Sequence, residues 1–202
     1  MKKILFVFAL SLLSSQAFAV LINFDVDANG DAISANTPIT DQYQAWGVTF
    51  LGLEDGNAVD INAAPEPDGN AAPSAPNVLT NCSDASPGCP GGRADSIEIF
   101  FASAASNISF MLDTLGSLEV TFNLFDSNDV LLETQSVTSN GSLFVPVSFA
   151  AAGVSRIQGL QPNNDWAWAM DDLEFDAVSV PEPGSLALLA FTVLGLGFCR
   201  RK

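Results

Sequence analysis

From Ser96 to Phe175 the chain never keeps an apolar period of 3.6 long enough for a helix. Short apolar or alternating segments recur about every 8–12 residues between turn-forming residues, the pattern of an all-β sandwich or barrel. Leu118 to Phe125 alternates, with Val120, Phe122 and Leu124 on one face. Asp126-Ser127-Asn128-Asp129 carries the residues that tight turns prefer, and Val130 to Val137 runs back. Asn140-Gly141 marks a further hairpin turn before Leu143 to Phe149. Val154 to Leu160 and Ala167 to Phe175 follow. Ser96 to Phe101 and Asn107 to Asp113 read as a hairpin joined by the small residues Ala102 to Ser106.

The earlier part of the chain is sparser. Val20 to Asp25 reads as a first strand and Gly47 to Leu51 as a second, with the polar stretch Asp27 to Asp41 between them. Glu54 to Pro90 is a long irregular region with one short apolar piece, Val78-Leu79. Loops of that length are uncommon in compact domains and are often functional. The expectation is about eight to ten short strands and no helix outside the chain ends.

Both ends carry signals of their own. Met1-Lys2-Lys3, the apolar stretch Ile4 to Leu13 and the small-x-small triplet Ala17-Phe18-Ala19 form a secretory signal peptide, with cleavage expected after Ala19. At the other end, Pro181-Glu182-Pro183 stops any regular element. The uncharged run Leu186 to Phe198 follows, and Cys199, Arg200, Arg201 and Lys202 close the chain. Thirteen apolar residues are short for a span, which takes about 20, and the basic stop Arg200-Arg201-Lys202 favours the cytoplasmic side of a membrane. A plain C-terminal anchor is the simpler alternative. A second Pro-Glu-Pro at Pro65 to Pro67 lacks an apolar run after it and reads as an exposed loop. The division expected is a signal peptide at 1–19, an ectodomain at 20–179 and a tail at 180–202.

Composition narrows the function classes. Lys2, Lys3, Arg200, Arg201 and Lys202 belong to the end signals, so Arg93 and Arg156 are the only cations between them. The exported part holds 22 of the 23 acidic residues, Glu182 being in the tail, and carries about −20, compared with −16 for the whole chain. Nucleic acid is excluded as a partner, because phosphate binding needs Lys and Arg to release counterions. Histidine is absent, which removes the Ser-His and Cys-His nucleophile arrangements and the commonest zinc ligand. Paired carboxylates could serve a glycosidase, but 23 acidic residues single out no pair. The expectation is that the chain is not an enzyme. Cys82 and Cys89 flank a turn-rich segment and, in an oxidising compartment, are expected to pair as a loop staple.

The tail, with tripeptide, apolar run and basic cluster in fixed order, resembles the PEP-CTERM sorting signal. That resemblance implies translocation, a transient stay in the inner membrane through a C-terminal transmembrane helix, and processing by an exosortase. Pro181, Glu182 and Pro183 would be recognition residues only, with the product sent to the outer surface or the extracellular polysaccharide matrix. Ile22-Asn23-Phe24-Asp25, Tyr43 with Gly47-Val48-Thr49-Phe50, and Met170-Asp171-Asp172-Leu173-Glu174-Phe175 are similar to pieces of the jelly-roll sandwiches of PEP-CTERM ectodomains. Such sandwiches are similar in shape to carbohydrate-binding modules. The likeness implies neighbouring first and last strands with a structural Ca2+ near them.

Two groups of residues are candidates for chemistry. Asp25-Val26-Asp27-Ala28-Asn29-Gly30-Asp31 resembles the opening of a calcium loop, but the twelfth position is Asn36 and no helix flanks it. Asp25 and Asp27 with Asp171 or Asp172 are the candidate metal ligands, and a solvated acidic turn is the alternative. Trp166, Trp168 and Met170 share a face if their segment is a strand. Facing outward, Trp166 and Trp168 would stack on sugar rings, giving a carbohydrate-binding module. Facing inward, they would be core. The two readings of the ectodomain are a structural or adhesive component of the exopolysaccharide matrix and a module that binds polysaccharide.

Overall fold

A computed structural model describes residues 17–65, 71–83, 92–114, 118–139, 143–161 and 167–178. The chain divides into two compact units, Ala19–Ala177 and the terminal segments Met1–Phe18 with Val178–Lys202. Nearly all of the second unit, including the apolar part of the signal peptide and the whole sorting tail with its expected transmembrane helix, lies outside the described residues. Among the described residues no helix is long and apolar enough to cross a membrane.

The first unit is all-β and antiparallel. Its strands are β1 (Ala17–Ile22), β2 (Thr37–Pro38), β3 (Val48–Glu54), β4 (Asn57–Val59), β5 (Asn62–Ala64), β6 (Val78–Thr80), β7 (Ser96–Thr114), β8 (Val120–Phe125), β9 (Leu131–Val137), β10 (Val145–Ser148), β11 (Val154–Leu160) and β12 (Trp168–Val178). β7 organises them. Its first half lies between β3 and β11, with Phe50 opposite Ile99 and Ile157 opposite Ile99. Its second half lies between β12 and β10, with Met170 and Val145 both opposite Leu112. One layer therefore runs β4-β3-β7-β11-β8-β9 and the other β10-β7-β12-β6-β5-β2, with β1 against β12. The result is a jelly-roll-like sandwich hinged on one shared strand.

β7 corrects the expected hairpin. Ala102 to Ser106 does not reverse the chain, and the strand is continuous over 19 residues. A hairpin tip needs residues at ease with positive φ, usually Asn or Gly, and Ala-Ser-Ala-Ala-Ser has none. Small side chains instead let the strand bend from one layer into the other. The expected irregular region after Glu54 likewise contains β4, β5 and β6, each three residues long. Such strands are too short to show alternation in the sequence.

The core forms where the inner faces meet. Val120, Phe122 and Leu124 of β8 are buried, as their alternation requires, together with Ile97, Ile99, Ile108, Phe110 and Leu112 of β7. Phe110 meets Phe122 edge-on at 4.9 Å, and Phe101 meets Phe175 at the same centroid distance. Phe24, Tyr43 and Phe50 make a second aromatic group, with centroids 5.8–6.0 Å apart. Edge-to-face pairs at these separations add to the burial of their apolar area.

β12 steps halfway along. Asp171 pairs with Met111 and Glu174 with Ser109, so three residues on β12 advance against two on β7. Asp172 takes the left-handed conformation this bulge needs, at φ 50°. Trp168 and Met170 face the core before the step, and Leu173 and Phe175 after it. The bulge changes strand parity without exposing an apolar side chain, and two carboxylates stand at the step.

Candidate functional site

Trp168 is a core residue, which corrects the sugar-stacking reading for it. It is 2 % exposed. Its ring stands perpendicular to Phe122 at 5.9 Å and lies over Gly159, where a Cβ would come within 3.3 Å of Trp168 Cη2. The alternating strand turns this side chain inward because the space above Gly159 accepts an indole. Its Nε1–H has no hydrogen-bond partner among the described residues. Trp166 lies outside the described residues. Cys82 is buried and disulfide-bonded, while Cys89 lies outside the described residues.

The candidate metal ligands separate into two groups. Asp27 closes a turn of its own: its Oδ1 accepts the N–H of Asn29 at 2.8 Å and of Asp31 at 2.9 Å. These backbone donors, that of Asp31 above all, hold its carboxyl below the usual range. Asp126 does the same for Asn128 and Val130 at 2.8 and 2.9 Å, and its carboxyl is lowered likewise, first by Val130. The sequence resemblance to a calcium loop at Asp27 thus corresponds to a tight-turn motif that is also found at Asp126.

Asp25, Asp171 and Asp172 form the other group. Asp171 is fully buried. Ser74 donates to it through its backbone N–H at 2.8 Å and its hydroxyl at 3.0 Å, and the N–H of Asp172 donates at 2.8 Å. Asn77 donates its N–H to Asp25 at 2.7 Å and its amide to the carbonyl of Ile33 at 2.9 Å. The segment from Ser74 to Asn77 therefore straps the end of the first strand to the step in β12. Burial pushes the Asp171 carboxyl up to about 7 against the donors from Ser74 and Asp172. Burial also raises Asp25, with the charge of Asp172 adding to it. The Tyr43 hydroxyl is buried and makes no hydrogen bond among the described residues; the Phe24 amide favours its ionised form without reaching bonding geometry. Burial first, then Asp25, Asp27 and Asp171, push its pKa well above the ordinary value.

Calcium can be tested against these donors. Asp25, Asp171 and Asp172 supply the hard oxygens that calcium prefers, and no Lys or Arg is hydrogen-bonded to them among the described residues. The chemistry fits a hard cation in charge and donor type. Yet no three acidic groups among the described residues are arranged to hold an ion, so the carboxylates alone do not complete a site.

A cleft of about 380 Å3 opens on the outer face of β10, β7, β12 and β1. Leu21, Met111 and Pro146 contribute apolar side chains, and Ser109, Ser148, Asp172 and Glu174 contribute polar ones. The pleat accounts for the set: on β7, β10 and β12 the residues between them, Phe110, Val147 and Leu173, are buried in the core. Elsewhere, buried Glu98 accepts from Arg156 at 2.8 Å and Gln158 at 2.7 Å. Buried Asp113 accepts from Ser139 at 2.6 Å. These are internal ties with no open face.

Comparison with known proteins identifies the tail. Residues 179–202 match the PEP-CTERM protein-sorting motif. The motif implies an exported protein that is sorted through the membrane and processed by an exosortase. No curated protein matches the chain. Among solved structures, the CBM22-1 xylan-binding domain of Paenibacillus barcinonensis Xyn10C is 12% identical, with coverage of 83% of this chain and 99% of that domain at a TM-score of 0.43. The K3 adhesin domain of Lys-gingipain from Porphyromonas gingivalis is 11% identical, covering 81% and 99% at 0.48. A CBM29-2 variant is 13% identical, covering 78% and 91% at 0.39. Likenesses this distant decide neither ligand nor activity.

Proposed function

We propose that this chain is an exported, non-catalytic structural or adhesive component of the extracellular polysaccharide matrix. The N-terminal signal starts translocation, the tail holds the chain at the inner membrane, and an exosortase recognises Pro181-Glu182-Pro183 and cuts nearby. The observation that carries this reading is the sorting motif at 179–202 placed behind an acidic all-β domain. A net charge near −20 favours solubility and resists nonspecific association outside the cell. It also leaves room for divalent cations to link it to matrix polymers.

A structural calcium ion belongs to this reading. Asp25 and Asp171 would supply carboxylate oxygens to it, with backbone carbonyls or water completing the shell, and Asp27 is left to its turn. The ion would supply the positive charge that these carboxylates lack and would tie the Ser74–Asn77 strap, the first strand and β12 together. What supports it is the strap, which fixes Asp171 through Ser74 and Asp25 through Asn77, only three residues apart in the chain.

The sorting claim is tested by replacing Pro181-Glu182-Pro183 with alanines and following the chain by fractionation and blotting. The expected result is uncut protein in the inner membrane and none in the matrix. Normal release of that variant would sink the claim.

A further inference from the structure

The cleft has a chemistry that the sorting reading does not use. Register places its residues in two rows across neighbouring strands. Ser148 of β10 lies opposite Ser109 of β7, and Ser109 lies opposite Glu174 of β12. One row is therefore Ser148-Ser109-Glu174, polar throughout. Two residues along β7, Pro146 lies opposite Met111, giving an apolar row. Strand geometry sets the rows about 7 Å apart and makes the three-strand row about 10 Å long. Leu21, 54% exposed, lies at the β1 side, and Asp172 joins Glu174 as a second acceptor.

We propose that this cleft binds a neutral glycan, about two sugar rings at a time. A pyranose chain is itself amphipathic: its ring faces present C–H groups and its edges present hydroxyls. The Met111–Pro146 row removes the C–H face from water. The Ser148-Ser109-Glu174 row meets the hydroxyl edge, with serine hydroxyls able to donate and accept and the carboxylate accepting only. A cleft of about 380 Å3 lies at the small end of the range for ligand sites, about 300–1,000 Å3.

Charge selects among glycans. Among the described residues no cationic side chain lines the cleft, whereas Asp172 and Glu174 do. In the absence of a bridging cation, uronic-acid, sulfated and phosphorylated chains would bring like charge to these carboxylates. Phe110 lies beneath the floor at 2 % exposure, so the recognition is aliphatic contact plus hydrogen bonds rather than ring stacking. Binding of that kind is weak for one chain and gains from several copies on one polymer. The inference rests on the matrix reading only for where the glycan is met.

Isothermal titration of the detergent-solubilised full-length protein tests it. The probes are β-1,4-linked hexasaccharides of glucose, xylose and mannose, the neutral polysaccharide fraction of the producing cells, and a galacturonic-acid hexamer. EDTA is present so that no cation bridges the acid. At least one neutral probe should bind saturably and the acidic hexamer should not. Glu174→Ala removes an exposed acceptor and should weaken binding about tenfold, as loss of a charged hydrogen bond implies. Ser148→Tyr, also at an exposed position, should fill the cleft and abolish it. Both variants are melted first to establish that they fold. No neutral binding by folded protein, binding indifferent to both variants, or preference for the acidic hexamer each overturns the proposal. Ser148→Tyr protein that still reaches the matrix after losing glycan binding would confirm the site and leave the sorting reading intact. Wild-type protein that binds glycan but never reaches the matrix would refute the sorting reading alone.

Discussion

Replacing Trp168 tests the inner face of β12 most directly. The side chain is 2 % exposed and wedged between Phe122 and the bare backbone of Gly159. Trp168→Ala removes its apolar contacts and leaves a cavity that neighbouring β strands cannot collapse. Truncations of this kind cost about 3–5 kcal/mol. For a domain of about 160 residues that is a fall in Tm of roughly 6–20 °C. Trp168→Phe is a sharper probe. It shrinks the ring but also removes an indole N–H that is buried without a partner among the described residues. Leaving such a donor unsatisfied costs about 1–3 kcal/mol, so the two effects oppose. The net change should stay within about 1 kcal/mol, far less than for alanine.

Gly159→Ala completes the argument. Its Cβ would stand 3.0 Å from Phe122 Cε1 and 3.3 Å from Trp168 Cη2, an overpacking worth about 1–3 kcal/mol. In the Trp168→Ala background one of those contacts is gone and Phe122 has room to move. The second cost should then shrink, giving a coupling above about 0.5 kcal/mol in a double-mutant cycle. Urea titrations followed by circular dichroism measure all four proteins. Additive costs, or a Trp168→Ala protein that melts like wild type, would refute the packing. Loss of polysaccharide binding with unchanged stability would instead place the indole on the surface.

Two other perturbations act on the strapped carboxylates. Burial holds the Asp171 carboxyl near 7 in the folded chain against 3.8 ordinarily. The folded state therefore keeps a proton that the unfolded state has lost, and this contribution to stability falls as pH rises from about 4 to about 7. Thermal melts in EDTA should show that slope, and Asp171→Asn should flatten it; an unchanged slope would remove Asp171 as its cause. With excess calcium the slope should vanish and the Tm at pH 7 should rise in wild type but not in Asp171→Asn, whereas equal Tm in calcium and EDTA would end the calcium proposal. Tyr43→Phe deletes a buried hydroxyl that has no hydrogen bond among the described residues. Urea unfolding without calcium should find the variant as stable as wild type or up to about 1–2 kcal/mol more stable, and a loss above 1 kcal/mol would show that the hydroxyl has a partner.

What was legible in the sequence follows from the range of the interactions. The strands β8, β9 and β11 stand out because alternation and turn residues are local, and Val120, Phe122 and Leu124 point where their spacing puts them. The β7 corner was legible only in what Ala102 to Ser106 lacks, the Asn or Gly of a tight hairpin tip; where the strand passes between layers is set by its distant partners. The step in β12 did leave a trace. In Met170-Asp171-Asp172-Leu173 two polar residues separate apolar ones that strict alternation would separate by one. Taken as a bulge, that spacing already turns Trp168 and Leu173 to the same side. Asp171 meeting Ser74 is a contact across 97 positions, and nothing near Ser74 in the sequence announces it. The cleft is likewise a property of register among β10, β7 and β12. At Asp27 the chain itself held the answer: Asp27-Ala28-Asn29 and Asp126-Ser127-Asn128 share one pattern, and in both the carboxylate accepts the N–H two residues on. A motif that recurs at an ordinary hairpin tip is better explained by turn formation than by an ion. That leaves the buried Asp171, whose partner Ser74 lies far away in the chain, as the carboxylate whose surroundings only the fold reveals.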